Sequence, residues 1–282
     1  MTRYVMDRRR RGVGAVVLAA VFAAGGLVAA PAPPPADEGT IVHALQRLTF
    51  GPRPGDVERV RAMGLEAWIE RQLHPGRIPD ERLASRLAAL PTLGLTTAEI
   101  LKGYDPPPAL RREVQRRRAA LGEDATPAQL RKARREIAAE YRDTMAGPPR
   151  RVVEELSQAK LLRAVYSERQ LDEVLVDFWM NHFNVFAGKG QDRFLITAYE
   201  REVIRPRAWG RFEDLLRATA RSPAMLFYLD HWLSTGPDFR PRRPGRSGNG
   251  RRAGLNENYA RELMELHTLG VDGGYTQQDV QE

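Results

Sequence analysis

The stretch "LDEVLVDFWMNHFNVF", Leu171–Phe186, carries Leu171, Val174, Leu175, Phe178, His182 and Val185. A helix turns about 100° per residue, so these six fall on one stripe. The same period recurs on both sides of it. Val152, Leu156, Ala159, Leu162 and Tyr166 predict an amphipathic helix upstream. Leu65, Trp68, Ile69 and Leu73 predict another, ended by Pro75-Gly76. "PGDVERVRAMG" reads as a short helix stopped at Gly64. Thr96 and Glu99 stand at capping-box spacing before "AEILKGY". "EDLLRATARSPAMLFYLDHWLS" holds two helices, the second opened by Ser222 as N-cap and Pro223 as first residue. Alternating strand patterns are missing. The expected fold is therefore all-α, an irregular multi-helix bundle with long loops.

Residues 104–149 interrupt that pattern. "YDPPPA" is a rigid break. Arg111–Arg118 and Gln129–Met145 then form a highly charged helical pair, with Thr126-Pro127 between them as N-cap and first residue. This reads as a hairpin insertion with solvated faces. A second insertion, residues 236–254, is a loop rich in Gly, Pro and Arg. Without an aromatic residue after Phe239 it lacks a stacking platform for single-stranded nucleic acid, so a surface loop is the favoured reading.

The formal charge of +8 on 282 residues has the same local origin. Residues 1–36 contribute +4 and Arg240–Arg252 contribute +6, which leaves −2 for everything else. A nearly neutral body does not suit a nucleic-acid binder. The absence of cysteine excludes disulfides, thiolate metal sites and cysteine nucleophiles.

The N-terminus has the layout of a bacterial export signal. "MTRYVMDRRRR" is a basic n-region, "GVGAVVLAAVFAAGGLVAA" is an apolar h-region, and "APAPPPADEG" begins a proline-rich linker. Val28 and Ala30, or Ala30 and Ala32, offer the small residues of a cleavage site. Either choice leaves a proline just after the cut, so an uncleaved membrane anchor stays open beside cleavage. The arginine run also permits a twin-arginine route. Expected organisation is thus residues 1–36 for signal and linker and 37–282 for a helical domain, periplasmic or extracellular. The chain stops at "GYTQQDVQE", where a helix has barely begun, and this reads as a fragment.

Chemistry-bearing residues gather in two places. "NENYARELMELHTLGV", residues 256–271, has Asn256 as N-cap and Gly270 as terminator. With Asn256 at zero, Asn258, Arg261, Glu262 and Glu265 lie between about 140° and 240°, and His267 lies opposite. A metal site of two glutamates and His267 therefore fails unless the helix loosens before Gly270. Glu257, Arg261 and Glu265 also fit an ion-pair ladder. His182 is the second place, a histidine within an apolar stripe, with Asp177 and Asn181 flanking it. His267 is likewise apolar-facing, and "FYLDHWL" sets Asp230 and His231 among large side chains. The expectation is that the two helices pack so that His182 and His267 share a buried polar cluster with Asn181 or Asp177. No nucleotide loop, zincin motif or nucleophile elbow is present, and the sequence implies no particular cofactor or metal.

Three segments, "RLTFGPRPGDVERV…GLEAWIERQLHPGRIPD", "VLVDFWMNHFNVF" and "NENYARELMELHTLGVDGGYTQQDV", resemble the bacterial family catalogued as domain of unknown function 1800, from about His43 onward. The resemblance implies an exported, mostly helical protein, often encoded beside a sulfatase-like exported protein that stands as the expected partner. Its signature maps onto Trp179, Asn181, His182, Asn256, Glu257, Asn258, Arg261, Glu262, Glu265 and His267. It brings no settled activity. Two classes remain: an envelope enzyme, either a hydrolase or metal-dependent, acting on a polymer or glycan, and a non-catalytic secreted scaffold. The residues carried forward are His182, His267, Glu262, Glu265, Asn181, Asp177 and Arg261.

Overall fold

A computed structural model describes residues 36–122, 125–140, 145–236 and 254–282, the side chain of residue 138 excepted. The export signal and the Arg240–Arg252 loop expected from sequence lie outside the described residues. Within them every regular element is helical, as the apolar period requires.

The first three helices, α1 (Glu38–Leu48), α2 (Asp56–Met63) and α3 (Leu65–Gln72), bury Ile41, Leu45, Val60 and Trp68 together. Asp37 opens α1 by accepting from the Thr40 amide at 2.9 Å. Gly64, at φ 88°, makes the sharp break between α2 and α3 that a side chain would resist. Next come α4 (Glu81–Leu87) and α5 (Thr97–Tyr104), and the capping box read at Thr96 and Glu99 is formed in both directions. The charged pair is α6 (Pro108–Leu121) and α7 (Pro127–Glu140), packed on each other. Arg117 joins them by pairing with Glu113 at 2.9 Å and Glu140 at 2.6 Å.

The centre is built by α8 (Arg150–Tyr166), α9 (Gln170–His182) and α10 (Asp192–Ala198). A wide π-helical segment, Tyr199–Ile204, and a single tight turn, Arg205–Arg207, extend α10. Val176, Phe183, Tyr199, Ile204, Leu215 and Met225 form the main core with α11 (Phe212–Ala220) and α12 (Pro223–Tyr228). Ser222 caps α12 as its sequence predicts, accepting from the Met225 amide at 3.1 Å. Last are α13 (Glu257–Met264), a π-helical turn at Glu265–Leu269, and α14 (Gln277–Gln281). No helix among the described residues is long and apolar enough to cross a membrane.

Two corrections bear on function. The α9 helix ends at His182 rather than Phe186, because Phe183 leaves helical geometry at φ −98°, ψ 52°. Its buried side also differs from the apolar stripe. Leu171 of the stripe is buried, but so are Gln170, Glu173 and Val176 outside it, whereas Phe178 of the stripe is 54% exposed. The Glu173 carboxylate can be buried because the Arg205 guanidinium meets it.

Candidate functional site

Seven candidate residues divide among three places. The period of α9 makes the first division. Asn181 lies about 100° from His182 on the wheel and Asp177 about 140°, so neither shares the histidine's direction. Asp177 instead pairs with Lys160 of α8. Asn181 is exposed. Both line a cavity of about 220 Å³.

Beneath that cavity is a set of charges that sequence reading missed. Arg205 reaches Glu173 with both terminal nitrogens, at 3.0 and 2.9 Å, and Glu200 at 2.8 Å. Arg163 donates to Glu200 at 2.9 Å and lies 3.8 Å from Glu173. The two-pronged contact is the strong arrangement for guanidinium and carboxylate. Burial pushes the Glu173 carboxyl up while Arg205 and Arg163 pull against that shift. Burial likewise lowers Arg163, and Arg205 lies beside it. For Arg205 burial is outweighed by the two carboxylates, and its pKa is raised. No sequence signal marks this quartet, since Arg163 and Glu173 each read as ordinary surface positions of amphipathic helices.

His182 and His267 do come together. The rings stand 6.3 Å apart, centroid to centroid. The expected partners Asn181 and Asp177 are replaced by backbone, for Nε2 of His182 lies 3.0 Å from the His267 carbonyl oxygen. A carbonyl only accepts, so Nε2 carries a proton, and in the neutral form of the ring Nδ1 keeps a lone pair. His182 is half-buried. Phe178 stacks on it, and Trp179, Phe183 and Phe212 meet it edge-on. Trp179 is itself fixed by donating to the Ala208 carbonyl at 3.0 Å.

The helix does loosen before Gly270, and His267 lies within that wide turn. The Thr268 hydroxyl donates to the Leu263 and Met264 carbonyls, each at 3.1 Å, within the wide turn. Such a turn adds a residue and rotates the side chains beyond it by about 100°. Gly270, at φ 81°, then ends it. His267 is 5% exposed and its Nδ1 has no partner among the described residues. Burial, with His182 adding to it, lowers its pKa to about 4.

The acidic residues of this helix face elsewhere. Glu265 accepts from the Tyr275 hydroxyl, which raises the phenol. Arg261 pairs with Glu257 at 3.3 Å and donates to Gln277 at 2.5 Å. The expected three-residue ladder is thus one rung, and Glu265 has turned to the loop that leads into α14. Glu262 is half-buried. No group of three His, Asp or Glu among the described residues is arranged to hold a metal.

Asp230 and His231 build a further locale, apart from those three. Asp230 adopts φ 58°, in the left-handed region, and pairs with Lys189 at 3.0 Å. Its neighbour His231 packs on Tyr259, ring to ring at 4.6 Å. Asn256 braces this turn by donating to the Leu229 carbonyl at 3.0 Å. Nearby Asp192 is fully buried, and neither of its carboxyl oxygens has a partner among the described residues. Burial raises it to about 7, Lys189 opposing and Asp230 adding.

The chain, including the signature residues of α9 and α13, matches a family model described as "Protein of unknown function (DUF1800)" over residues 43–282. The chain belongs to this family. No curated protein and no solved structure is similar enough to count as a match. Family membership covers the two helices that meet at the histidines, and it assigns no reaction to them.

Proposed function

We propose that this protein is exported to the bacterial envelope and that its working site is the histidine pair where α9 meets the wide turn after α13. The contact from His182 Nε2 to the His267 carbonyl carries this reading. It holds one tautomer and leaves Nδ1 as a proton acceptor beside a second imidazole that burial keeps neutral. A wide turn that contains His267 fits the recurrence of such turns at functional sites. The chemistry offered is proton abstraction, as in a hydrolase acting on a polymer or glycan. A metal-dependent variant of this reading needs ligands beyond the two imidazoles. The test is turnover of aryl ester, phosphate, sulfate and glycoside panels by full-length protein, with and without added divalent metal. His182→Gln should lower any turnover by about 10²-fold or more, the usual worth of a general base. Turnover unchanged in that variant would overturn the assignment. Export is tested separately by N-terminal sequencing of protein recovered from the envelope. A cytoplasmic chain starting at Met1 would refute it.

A non-catalytic scaffold is the second reading, and one observation favours it. Phe178, Phe212, Leu266, Leu269 and Val271 are all exposed, and apolar side chains of that size at a surface suit a protein partner. A co-encoded sulfatase-like exported protein is the proposed partner. Co-purification that survives His182→Gln but is lost on Phe178→Ser would favour the scaffold.

A further inference from the structure

The 220 Å³ cavity over the buried quartet is separate from the histidine pair, and its charges are arranged for a ligand. It is lined by α8, α9, α10 and the turn beyond α10, with three basic groups (Lys160, Arg163, Arg205) and three acidic ones (Glu173, Asp177, Glu200). Four of these are locked to one another at the floor. A net anion would have to face three carboxylates, and a net cation three positive groups. The ligand that suits the cavity is therefore neutral overall.

The rim narrows the choice. Lys160 and Asp177 form a pair whose side chains are 55% and 26% exposed. Such a pair contributes little to stability and is readily opened by a competing charge. Between rim and floor the wall is apolar, made by Leu156, Val176, Met180 and Ile196. Arg205 is also of the lining, and its Nε is a buried donor without a partner among the described residues. A buried donor of that kind gains from a ligand acceptor. The volume is below the range of roughly 300–1,000 Å³ usual for drug-sized ligands.

We infer that this cavity binds a zwitterionic α-amino acid with an apolar side chain. The ligand ammonium replaces Lys160 on Asp177, the carboxylate meets Lys160 and Arg205 Nε, and the side chain covers Val176 and Ile196. Calorimetric titration of the full chain with L-leucine, L-methionine and L-phenylalanine tests this. Their amides, which lack the carboxylate, and their N-acetyl forms, which lack the ammonium, are the controls, and glucose is the uncharged polar control. At least one free amino acid should bind, and its amide and N-acetyl forms should bind at least about tenfold more weakly, the effect of losing one charge-assisted hydrogen bond. Lys160→Met and Asp177→Asn should each weaken the free amino acid by a similar factor while circular dichroism melts show both variants folded. The inference is overturned if no amino acid binds at ten times a Kd of roughly 1 mM, if glucose or a single-charge form binds as well, or if folded Asp177→Asn binds like wild type. Any of these results leaves the histidine assignment standing, because the two sites share no residue.

Discussion

Two sets of buried ionisable groups in this protein differ in whether a counter-ion opposes their burial. Around Arg205, two guanidiniums meet two carboxylates within a few ångströms, and the ion pairs oppose the burial that pushes Glu173 up and Arg163 down, while Arg205 itself is raised. At Asp192 and His267 single groups are buried without partners, and each shifts toward its neutral form. Burial is as deep in the second set as in the first, so depth does not separate them. The presence of a hydrogen-bonded counter-ion does, because the interior strengthens attraction and raises the penalty for an unmatched charge together.

The largest way to break that comparison is to unpair the quartet. Glu173→Gln strands part of two guanidiniums and should cost about 3–5 kcal/mol in urea unfolding. The double variant Glu173→Leu with Arg205→Met should recover much of that loss, since removing both members of a pair relieves desolvation. A single variant near neutral would show that the quartet is not paired as described.

Next in size are the unpaired groups, and their signs oppose. Asp192 has a folded pKa of about 7 against an ordinary value of 3.8. The folded state holds its proton more tightly, so this contribution is complete below the unfolded pKa and falls as pH rises toward about 7. The difference is worth about 4 kcal/mol. His267 has a folded pKa of about 4 against 6.5. Here the folded state binds the proton less well, so the contribution is complete above pH 6.5 and is lost as pH falls toward about 4, by about 3 kcal/mol. Between about pH 4 and 6.5 the two slopes cancel in the wild type. Asp192→Asn should therefore gain stability with rising pH in that window relative to wild type. His267→Asn should lose it. Parallel stability profiles for all three proteins would sink both assignments.

Smaller effects sharpen the contrast at the histidine contact. His182→Ala removes the donor to the His267 carbonyl and should cost on the order of 1–3 kcal/mol. Thr96→Ala, at a capping box on the protein surface, should cost about 1 kcal/mol by thermal melting and show no pH dependence from Asp192 or His267. A loss at Thr96 larger than at Glu173 would invert this order.

The helical ends were the most legible features. Thr96, Ser222, Asn256 and Thr276 act on amides two or three residues away, so their role is written within a few positions of sequence. The meeting of His182 and His267 was legible in outline, because two histidines on apolar faces need company. Its form was not. The partner is a carbonyl, and backbone groups carry no residue-specific signal. Phe178 shows the limit of periodicity, for it belongs to the apolar stripe of α9 yet stays exposed, whereas Glu173 is buried against Arg163 and Arg205.

The sequence alone determined that this chain is helical, where several of its helices start, and to which family it belongs, because apolar spacing, capping residues and long motifs are local properties. Tertiary structure decided which faces are buried and which polar groups share a site. Glu173 and Arg205 stand 32 positions apart, and His182 and His267 stand 85 apart. Contacts at that separation depend on how the helices pack against one another, which the local pattern of either partner does not contain.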